Sequence, residues 1–136
     1  AEQVIARFGC IDILVNNALT NPGPDQPFLK IEEKFWDKLV GHALKGYVFC
    51  SQRAAKEMVG QGSGGRIVSI SSVHSYRAWP HDAVYGIVKA GLNRMALSLA
   101  VDLADHHINV NCIAPGYIDS RVLPLEEETT RGGDAR

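Results

Sequence analysis

Short apolar runs alternate along the chain with longer stretches in which apolar residues recur every three or four positions. The short runs are rich in branched aliphatic side chains, as in buried strands of a parallel sheet, and they cover Ile11–Val15, Arg66–Ser71 and Ile108–Ile113. The helical spacing predicts two long helices, Ile31–Val59 and Ala83–Ala104. A further helix ends at Phe8, before Gly9, and the proline-rich stretch Asn17–Lys30 is predicted to be a loop.

This alternation of strand and helix predicts an α/β fold. Connections long enough to hold a helix allow parallel strands joined by right-handed crossovers. We therefore expect a partial Rossmann-like, doubly wound parallel sheet with three strands and two long helices. Residues 1–136 are interpreted as a single partial domain whose two ends look truncated, and the polar stretch 121–136 is expected to be a flexible tail.

The composition is that of an ordinary globular protein and serves mainly to exclude functions. Hydrophobic residues make up 46% and charged residues 21%, and the net charge is −1. Without a cluster of basic residues, no nucleic-acid partner is expected. No run approaches the roughly 18 apolar residues of a membrane span, so no membrane partner is expected. The three widely spaced cysteines indicate neither a disulfide framework nor a metal site, and cytoplasmic localisation is expected.

Tyr85 and Lys89 are the first candidates for chemistry. They are four residues apart near the start of the second long helix, so the phenol and the ammonium share one helical face. A free tyrosine titrates near about 10, and a nearby cation favours the phenolate and lowers that value. The pair is therefore a candidate proton-transfer unit, although this spacing also occurs on helices without such a role.

Polar or turn-forming residues follow the ends of all three predicted strands. Ser72 ends the second strand and precedes Tyr85 by 13 residues, Asn16–Ala18 follows the first strand, and Pro115–Ser120 follows the third. The alternative for each is purely structural: a cap or turn serine, asparagines that bind free backbone groups, and a Pro-Gly turn. Because ligands bind beyond the carboxyl ends of strands in open α/β sheets, the three segments together predict a binding site.

From about residue 1 to residue 121 the chain resembles the short-chain dehydrogenase/reductase family. The matching motifs, in this order, are LVNNA (Leu14–Ala18), GRIVSISS (Gly65–Ser72), YGIVKAG (Tyr85–Gly91) and INVNCIAPGYIDS (Ile108–Ser120). The resemblance implies an NAD(P)-dependent oxidoreductase that transfers hydride between NAD or NADP and a small-molecule alcohol or ketone. It also implies a homo-oligomer, a dimer or tetramer, built through the two long helices.

The resemblance further implies roles for individual residues. Tyr85 would be the general acid/base, Lys89 would lower the pKa of Tyr85 and bind the nicotinamide ribose, and Ser72 would hold the substrate oxygen. The implied cofactor-binding residues are Asn16, Ala18, Tyr85, Lys89, Pro115, Gly116, Ile118 and Ser120. The segment between Ser72 and Tyr85, which contains His74 and His81, would line the substrate pocket, with exposed loop residues as the alternative.

Several features depart from the family pattern. Leu19 replaces the glycine of the family's Asn-Asn-Ala-Gly motif, and Ala43 replaces an asparagine that supports a proton relay to the lysine. The family's glycine-rich phosphate loop and its NAD/NADP selector do not occur in these residues, so the choice between NAD and NADP stays open. The chain alone is expected to bind dinucleotide weakly. Gly60–Gly65 precedes a strand and is interpreted as a flexible connector, not a phosphate loop.

Two other functions compete with the dehydrogenase interpretation. Ala43 favours a degenerate family member that acts as a non-catalytic binding or assembly module, whereas the intact Ser72, Tyr85 and Lys89 argue against it. A related epimerase or dehydratase would share the Tyr-x-x-x-Lys pair. The PGYIDS segment and the short distance along the chain from Ser72 to Tyr85 fit a dehydrogenase better.

Overall fold

A computed structural model of the protein describes residues 1–19 and 25–118. The helices and strands of these residues are α1 (Glu2–Phe8), β1 (Ile13–Asn16), α2 (Glu33–Leu39), α3 (Gly46–Gln61), β2 (Gly65–Ile70), α4 (Ala83–Asp102) and β3 (Ile108–Ile113). A π-helical segment, Val40–Lys45, joins α2 to α3, and short 3₁₀ turns cover Phe28–Lys30, Val73–Ser75 and Ala104–His106. The tail expected at 121–136 lies outside the described residues.

The three strands form one parallel sheet in the order β1-β2-β3, which confirms the predicted α/β fold. Asn16 is paired with Ser69 in this register. The helices α3 and α4 lie on the same face of the sheet, since both contribute to one apolar cluster with Ile67 and Val110, as expected for two right-handed crossovers that advance in the same direction. Burial alternates accordingly: Ile67, on the helical face, is fully buried, whereas Ile13, on the opposite face, is 65% exposed.

The predicted boundaries are correct to within a few residues. β3 has the predicted bounds, and Gly9 ends α1 in the left-handed conformation with φ 81°. β1 begins at Ile13 instead of Ile11, because the side chain of Gln61 takes the place of a neighbouring strand. Its Oε1 accepts from Ile11 N–H at 2.8 Å, and its Nε2 donates to Ile11 O at 3.1 Å.

Two apolar clusters hold the helices in place. The first lies between α3, α4 and the sheet and is formed by Ala54, Ala55, Met58, Ile67, Ala96, Ile108 and Val110. The second joins α2 and the π-helical segment to the start of α4 and is formed by Phe35, Leu39, Ala43, Val84 and Val88. Each large aliphatic or aromatic side chain buried here contributes about 1.5–3 kcal/mol. The second cluster fixes the part of α4 that carries Tyr85 and Lys89.

The glycine-rich segment Gly60–Gly65 connects α3 to β2, as the sequence predicts, and it is closely packed. Gly62 and Gly64 have φ values of 71° and 73°, in the left-handed region that favours glycine. A Cβ atom on Gly64 would lie 2.5 Å from the carbonyl oxygen of His107. The segment is therefore a tight helix-to-strand turn that leads into β2.

The π-helical segment is a feature that the prediction of one long helix over Ile31–Val59 omits. Buried positions recur every four residues along the helical run, at Phe35, Leu39, Ala43, Tyr47, Ser51 and Ala55. In a regular α-helix such a row drifts around the axis by about 40° at each step. The i→i+5 bonding of a π-helix holds more residues in each turn and offsets part of that drift. The unbroken four-residue spacing is the signal in the sequence for this segment.

Candidate active site

The carboxyl ends of β2 and β3 are joined by backbone hydrogen bonds. Ser71 N–H donates to Ile113 O at 2.7 Å, and Val73 N–H donates to Pro115 O at 3.0 Å. The turn that follows β2 therefore lies beside the segment that follows β3. Gly116 lies next to Val73, since a Cβ atom on Gly116 would be 4.0 Å from Val73 Cγ1. Two of the three segments in the predicted site meet at this edge.

Ser72 lies at the end of β2, where it caps the 3₁₀ turn Val73–Ser75. Its Oγ accepts from His74 N–H at 3.3 Å, and its side chain is largely buried. Its carbonyl oxygen accepts from Ser75 Oγ at 2.5 Å. The capping role considered for Ser72 is therefore realised. Its hydroxyl proton has no acceptor within residues 1–19 and 25–118, so the O–H group stays available to a ligand.

Tyr85 and Lys89 lie on one face of α4, as their spacing predicts. Lys89 Nζ is 5.5 Å from the centroid of the Tyr85 ring. Lys89 is only 4% exposed, and its ammonium donates to Ile70 O at 2.8 Å. Burial lowers the pKa of Lys89 below its usual value of 10.5. An ammonium has three donors, so two N–H groups of Lys89 are left for other partners.

Ser71, directly after β2, lies at this edge of the sheet, but the sequence does not distinguish it from the neighbouring serines. Its Oγ donates to the carbonyl oxygen of Lys89 at 2.9 Å, which fixes α4 against the end of β2. Cys112 of β3 completes this contact region, and its Sγ donates to Asn93 Oδ1 at 3.4 Å. Burial raises the pKa of the Cys112 thiol. Only the packing of α4 on β2 and β3 reveals these contacts.

At the end of β1, the Asn16 side chain points into the protein. Asn16 Nδ2 donates to Ser51 Oγ at 2.9 Å and to Ser69 Oγ at 3.2 Å, and all three residues are buried. Ala18 is also held by the protein, because its carbonyl oxygen accepts from the Tyr47 phenol at 3.1 Å. Burial raises the pKa of Tyr47. A contact between Asn16 and a cofactor would therefore come from the Asn16 backbone.

His74 lies against Tyr85, and Asp82 holds it there. The His74 ring centroid is 5.2 Å from that of Tyr85, and His74 Nδ1 is 3.0 Å from Asp82 Oδ2. The sequence places His74 in a segment expected to line the pocket, but nothing in the pattern singles out Asp82. An aspartate before a helix is ordinarily interpreted as its cap.

The remaining predicted site residues have varied surroundings. Pro115 is half-buried, whereas Gly116 and Ile118 are exposed, and Ser120 lies outside the described residues. Of the two departures from the family pattern, Leu19 is 39% exposed and Ala43 is fully buried in the second apolar cluster. An alanine at position 43 thus contributes to packing between the π-helical segment and α4.

Two further kinds of site are absent from the part of the chain that the structure describes. Among residues 1–19 and 25–118, no group of three or more histidine, cysteine, aspartate or glutamate side chains could hold a metal ion. Within the same residues, no helix has both the length and the apolar character needed to cross a membrane.

Comparison with known proteins identifies relatives of the chain. The sequence model of the short chain dehydrogenase family matches residues 1–130. The chain is 41% identical over 130 residues to the uncharacterized oxidoreductase YohF of Escherichia coli strain K12, an alignment that covers 96% of this chain and 51% of that protein. The chain thus spans about half the length of the curated relatives it matches.

Two of the solved structures with the same fold are of proteins named as dehydrogenases. The acetoin dehydrogenase of Enterobacter cloacae superimposes with a TM-score of 0.82 at 40% identity, covering 95% of this chain and 49% of that one. A gluconate 5-dehydrogenase of Burkholderia cenocepacia J2315, in complex with NADP and tartrate, has a TM-score of 0.81 at 34% identity, covering 88% and 46%. The comparisons do not support the alternative of a non-catalytic module.

Proposed function

Since the chain belongs to the short-chain dehydrogenase family, we propose that the protein is an NAD(P)-dependent oxidoreductase that interconverts an alcohol and a ketone. The main support is the buried Lys89 ammonium, 5.5 Å from the centroid of the Tyr85 ring. Ser72 lies two residues after β2, and the carbonyl of Ile70, the last residue of that strand, accepts from this ammonium. One edge of the sheet therefore carries a proton donor, a cation beside it and a free hydroxyl.

Each of these groups has a distinct chemical task in the proposed reaction. The Tyr85 phenol gives a proton to the carbonyl oxygen during reduction and takes it back during oxidation. The Lys89 ammonium holds a positive charge 5.5 Å from the centroid of the Tyr85 ring and keeps donors for the cofactor. The Ser72 hydroxyl donates to the same substrate oxygen and stabilises the negative charge that develops on it.

The residues of this edge fit the nicotinamide half of a dinucleotide. Two N–H groups of Lys89 are left to bind ribose hydroxyls, and Pro115, Gly116 and Ile118 present a small, partly apolar surface to a flat ring. When bound, NAD or NADP supplies or accepts the hydride. We assign Asn16 and Ala18 to the ribose side through their backbone. Ser120 is assigned to the same loop as Ile118 from the sequence alone.

We also propose a small-molecule substrate, a cytoplasmic location and a homo-oligomer, dimer or tetramer. The outer surfaces of α3 and α4 support the oligomer, since Phe49 is 55% exposed and Leu97 is 64% exposed. Large apolar side chains on neighbouring helices are characteristic of interfaces.

An activity assay on the whole protein tests the proposed function. Consumption of NADH or NADPH is followed with acetoin, butanone and a keto-gluconate as substrates. We expect turnover with at least one carbonyl, and a decrease in kcat of about 10²-fold in Ser72→Ala, which lacks one donor to the oxyanion. If the protein binds the reduced cofactor but reduces none of these carbonyls, the proposed function is wrong and a binding role becomes the better explanation.

A further inference from the structure

Asp82 occupies the N-cap position of α4 but does not cap the helix. A capping aspartate normally accepts from the free N–H groups of the first helical turn. The Asp82 side chain makes no such bond. Its Oδ2 instead accepts from His74 Nδ1 and from Trp79 N–H, each at 3.0 Å. A largely buried carboxylate at the start of α4 thus bonds to His74 and to the preceding turn instead of capping its own helix.

The turn that presents this carboxylate is conformationally strained. His81, directly before Asp82, has a φ of 68°, in the left-handed region that residues other than glycine rarely adopt. Strained backbone of this kind persists only where the surrounding contacts hold it, and it is concentrated at functional sites. The bonds from Asp82 to Trp79 and His74 are such contacts.

The His74 imidazole is held on three sides, next to the groups proposed to bind the reacting oxygen. It stacks on the Trp79 indole, with ring centroids 4.2 Å apart and an interplanar angle of 22°. It meets the Tyr85 ring edge-on, at 5.2 Å and 84°. Its backbone N–H donates to Ser72 Oγ. The imidazole therefore lies beside Tyr85, and the His74 backbone lies beside Ser72.

The contact with Asp82 determines which ring nitrogen of His74 is free to accept. A carboxylate accepts hydrogen bonds, so Nδ1 carries the proton, and Nε2 of the neutral ring is then an acceptor. Nε2 has no partner among the described residues. Since no buried side-chain nitrogen or oxygen there lacks a partner, Nε2 must be open to solvent. With Nδ1 directed to Asp82, Nε2 is the ring nitrogen left for a ligand, on a ring whose centroid is 5.2 Å from that of Tyr85.

We propose that His74 is a specificity-determining residue that accepts a hydrogen bond from a hydroxyl on the carbon next to the reacting carbonyl. The preferred substrates are then α-hydroxyketones and the vicinal diols formed by their reduction. This inference rests on the proposed function, because it takes the reacting oxygen to lie at Tyr85 and Ser72. A simple ketone lacks the hydroxyl that Nε2 would accept from, and a site built for a hydroxyl discriminates against such an analogue.

Replacing His74 by asparagine or by glutamine distinguishes the role of Nδ1 from that of Nε2. In His74→Asn, the shorter amide reaches the position of Nδ1 and keeps a donor for Asp82, but it leaves no acceptor at the position of Nε2. In His74→Gln, the longer amide reaches the position of Nε2 and supplies an acceptor there. His106→Asn, in the exposed turn after α4, is the matched control.

The measurement compares kcat/KM for acetoin and butanone, which differ only in the hydroxyl. In the wild-type protein, acetoin should be preferred by about 10-fold or more, the contribution expected of one additional hydrogen bond. In His74→Asn, kcat/KM for acetoin should fall by about 10-fold or more, whereas kcat/KM for butanone should change by less than about threefold. His74→Gln should keep most of the preference, and His106→Asn all of it.

Several outcomes would overturn this inference. An equal loss for both substrates in His74→Asn would make His74 a purely structural residue. Equal kcat/KM for acetoin and butanone in the wild-type protein would refute the inference without any substitution, while the oxidoreductase proposal would stand. No turnover with any carbonyl would refute the proposed function and, with it, this assignment of His74.

Discussion

The ends of β1 and β2 both carry polar side chains, but the protein uses them in opposite ways. At the end of β1, Asn16 bonds to Ser51 and Ser69, and all three side chains are buried. At the end of β2, Ser72 and Lys89 keep donors that no described residue uses, and His74 keeps an acceptor. Buried polar groups that satisfy one another stabilise a structure, whereas unused donors and acceptors at an accessible edge are available for chemistry.

The largest effect expected from this comparison is that of replacing Tyr85, which lies near the end of β2. Tyr85→Phe removes the proton donor, so kcat should fall by about 10²-fold or more while cofactor affinity stays nearly unchanged. Steady-state kinetics gives the first quantity, and titration of cofactor fluorescence gives the second. A variant with wild-type kcat would remove Tyr85 from the proposed site.

The same serine-to-alanine change should have different consequences for kcat at the two strand ends. Ser51→Ala removes an acceptor from the buried Asn16 amide, so the free energy of unfolding should fall by about 1 kcal/mol while kcat is unchanged. Ser72→Ala should lower kcat by about 10²-fold, and it should also lower the free energy of unfolding by about 1 kcal/mol, because Ser72 Oγ caps the turn by accepting from His74 N–H. Urea denaturation and the activity assay, applied to both variants, test this contrast. If Ser51→Ala lowered kcat as much as Ser72→Ala, the division into structural and chemical regions would be wrong.

A smaller effect is expected in the pH dependence of stability. Burial lowers the pKa of Lys89 in the folded protein below the usual 10.5, so at intermediate pH the unfolded chain binds more protons than the folded protein. Where this holds, stability rises with pH. The free energy of unfolding should therefore increase, and the folded protein become more stable, as pH rises through the lowered pKa of Lys89. Above the usual value of 10.5 this increase should level off.

Lys89→Met provides the measurement, because methionine does not titrate. The difference in unfolding free energy between wild type and Lys89→Met should shift in favour of wild type as the pH of urea denaturation is raised. Ser51→Ala, which removes no titratable group, should differ from wild type by the same amount at every pH. A constant difference for Lys89→Met would show that burial does not perturb this lysine.

The sequence predicts the order of the elements well because each depends on local patterns. The branched aliphatic run of β3 and the helical spacing of α4 each identify their element without reference to the rest of the chain. Spacing alone also brings Tyr85 and Lys89 to one face of α4. The roles of Ser72, Tyr85 and Lys89 in catalysis remain predictions.

Contacts between distant segments could not be predicted in this way. The residues of β1 before Asn16 are all apolar, on both faces of the strand. The sequence therefore does not show which face of the sheet carries the Asn16 side chain. Its partners Ser51 and Ser69 become evident only once α3 is packed on the sheet. The bond between His74 and Asp82 forms within an irregular segment, where no periodicity relates one side chain to another. The π-helical segment is an intermediate case, since its four-residue spacing is visible but resembles that of an ordinary helix.

The π-helical turn at Val40–Lys45 makes the number of residues between α2 and α3 important for the packing of both helices. Loss of a single residue within it would return this turn to regular α-helix and leave the two halves nearly in register, because a π-turn holds an extra residue. Loss of a residue from α2 or α3 would instead rotate the two halves against each other by about 100°. Either Phe35 and Leu39 or Tyr47 and Ser51 would leave the core. Substitutions in this helix thus affect local packing, whereas a residue lost or gained in α2 or α3 would also disturb the end of β1 through the bond of Ser51 to Asn16.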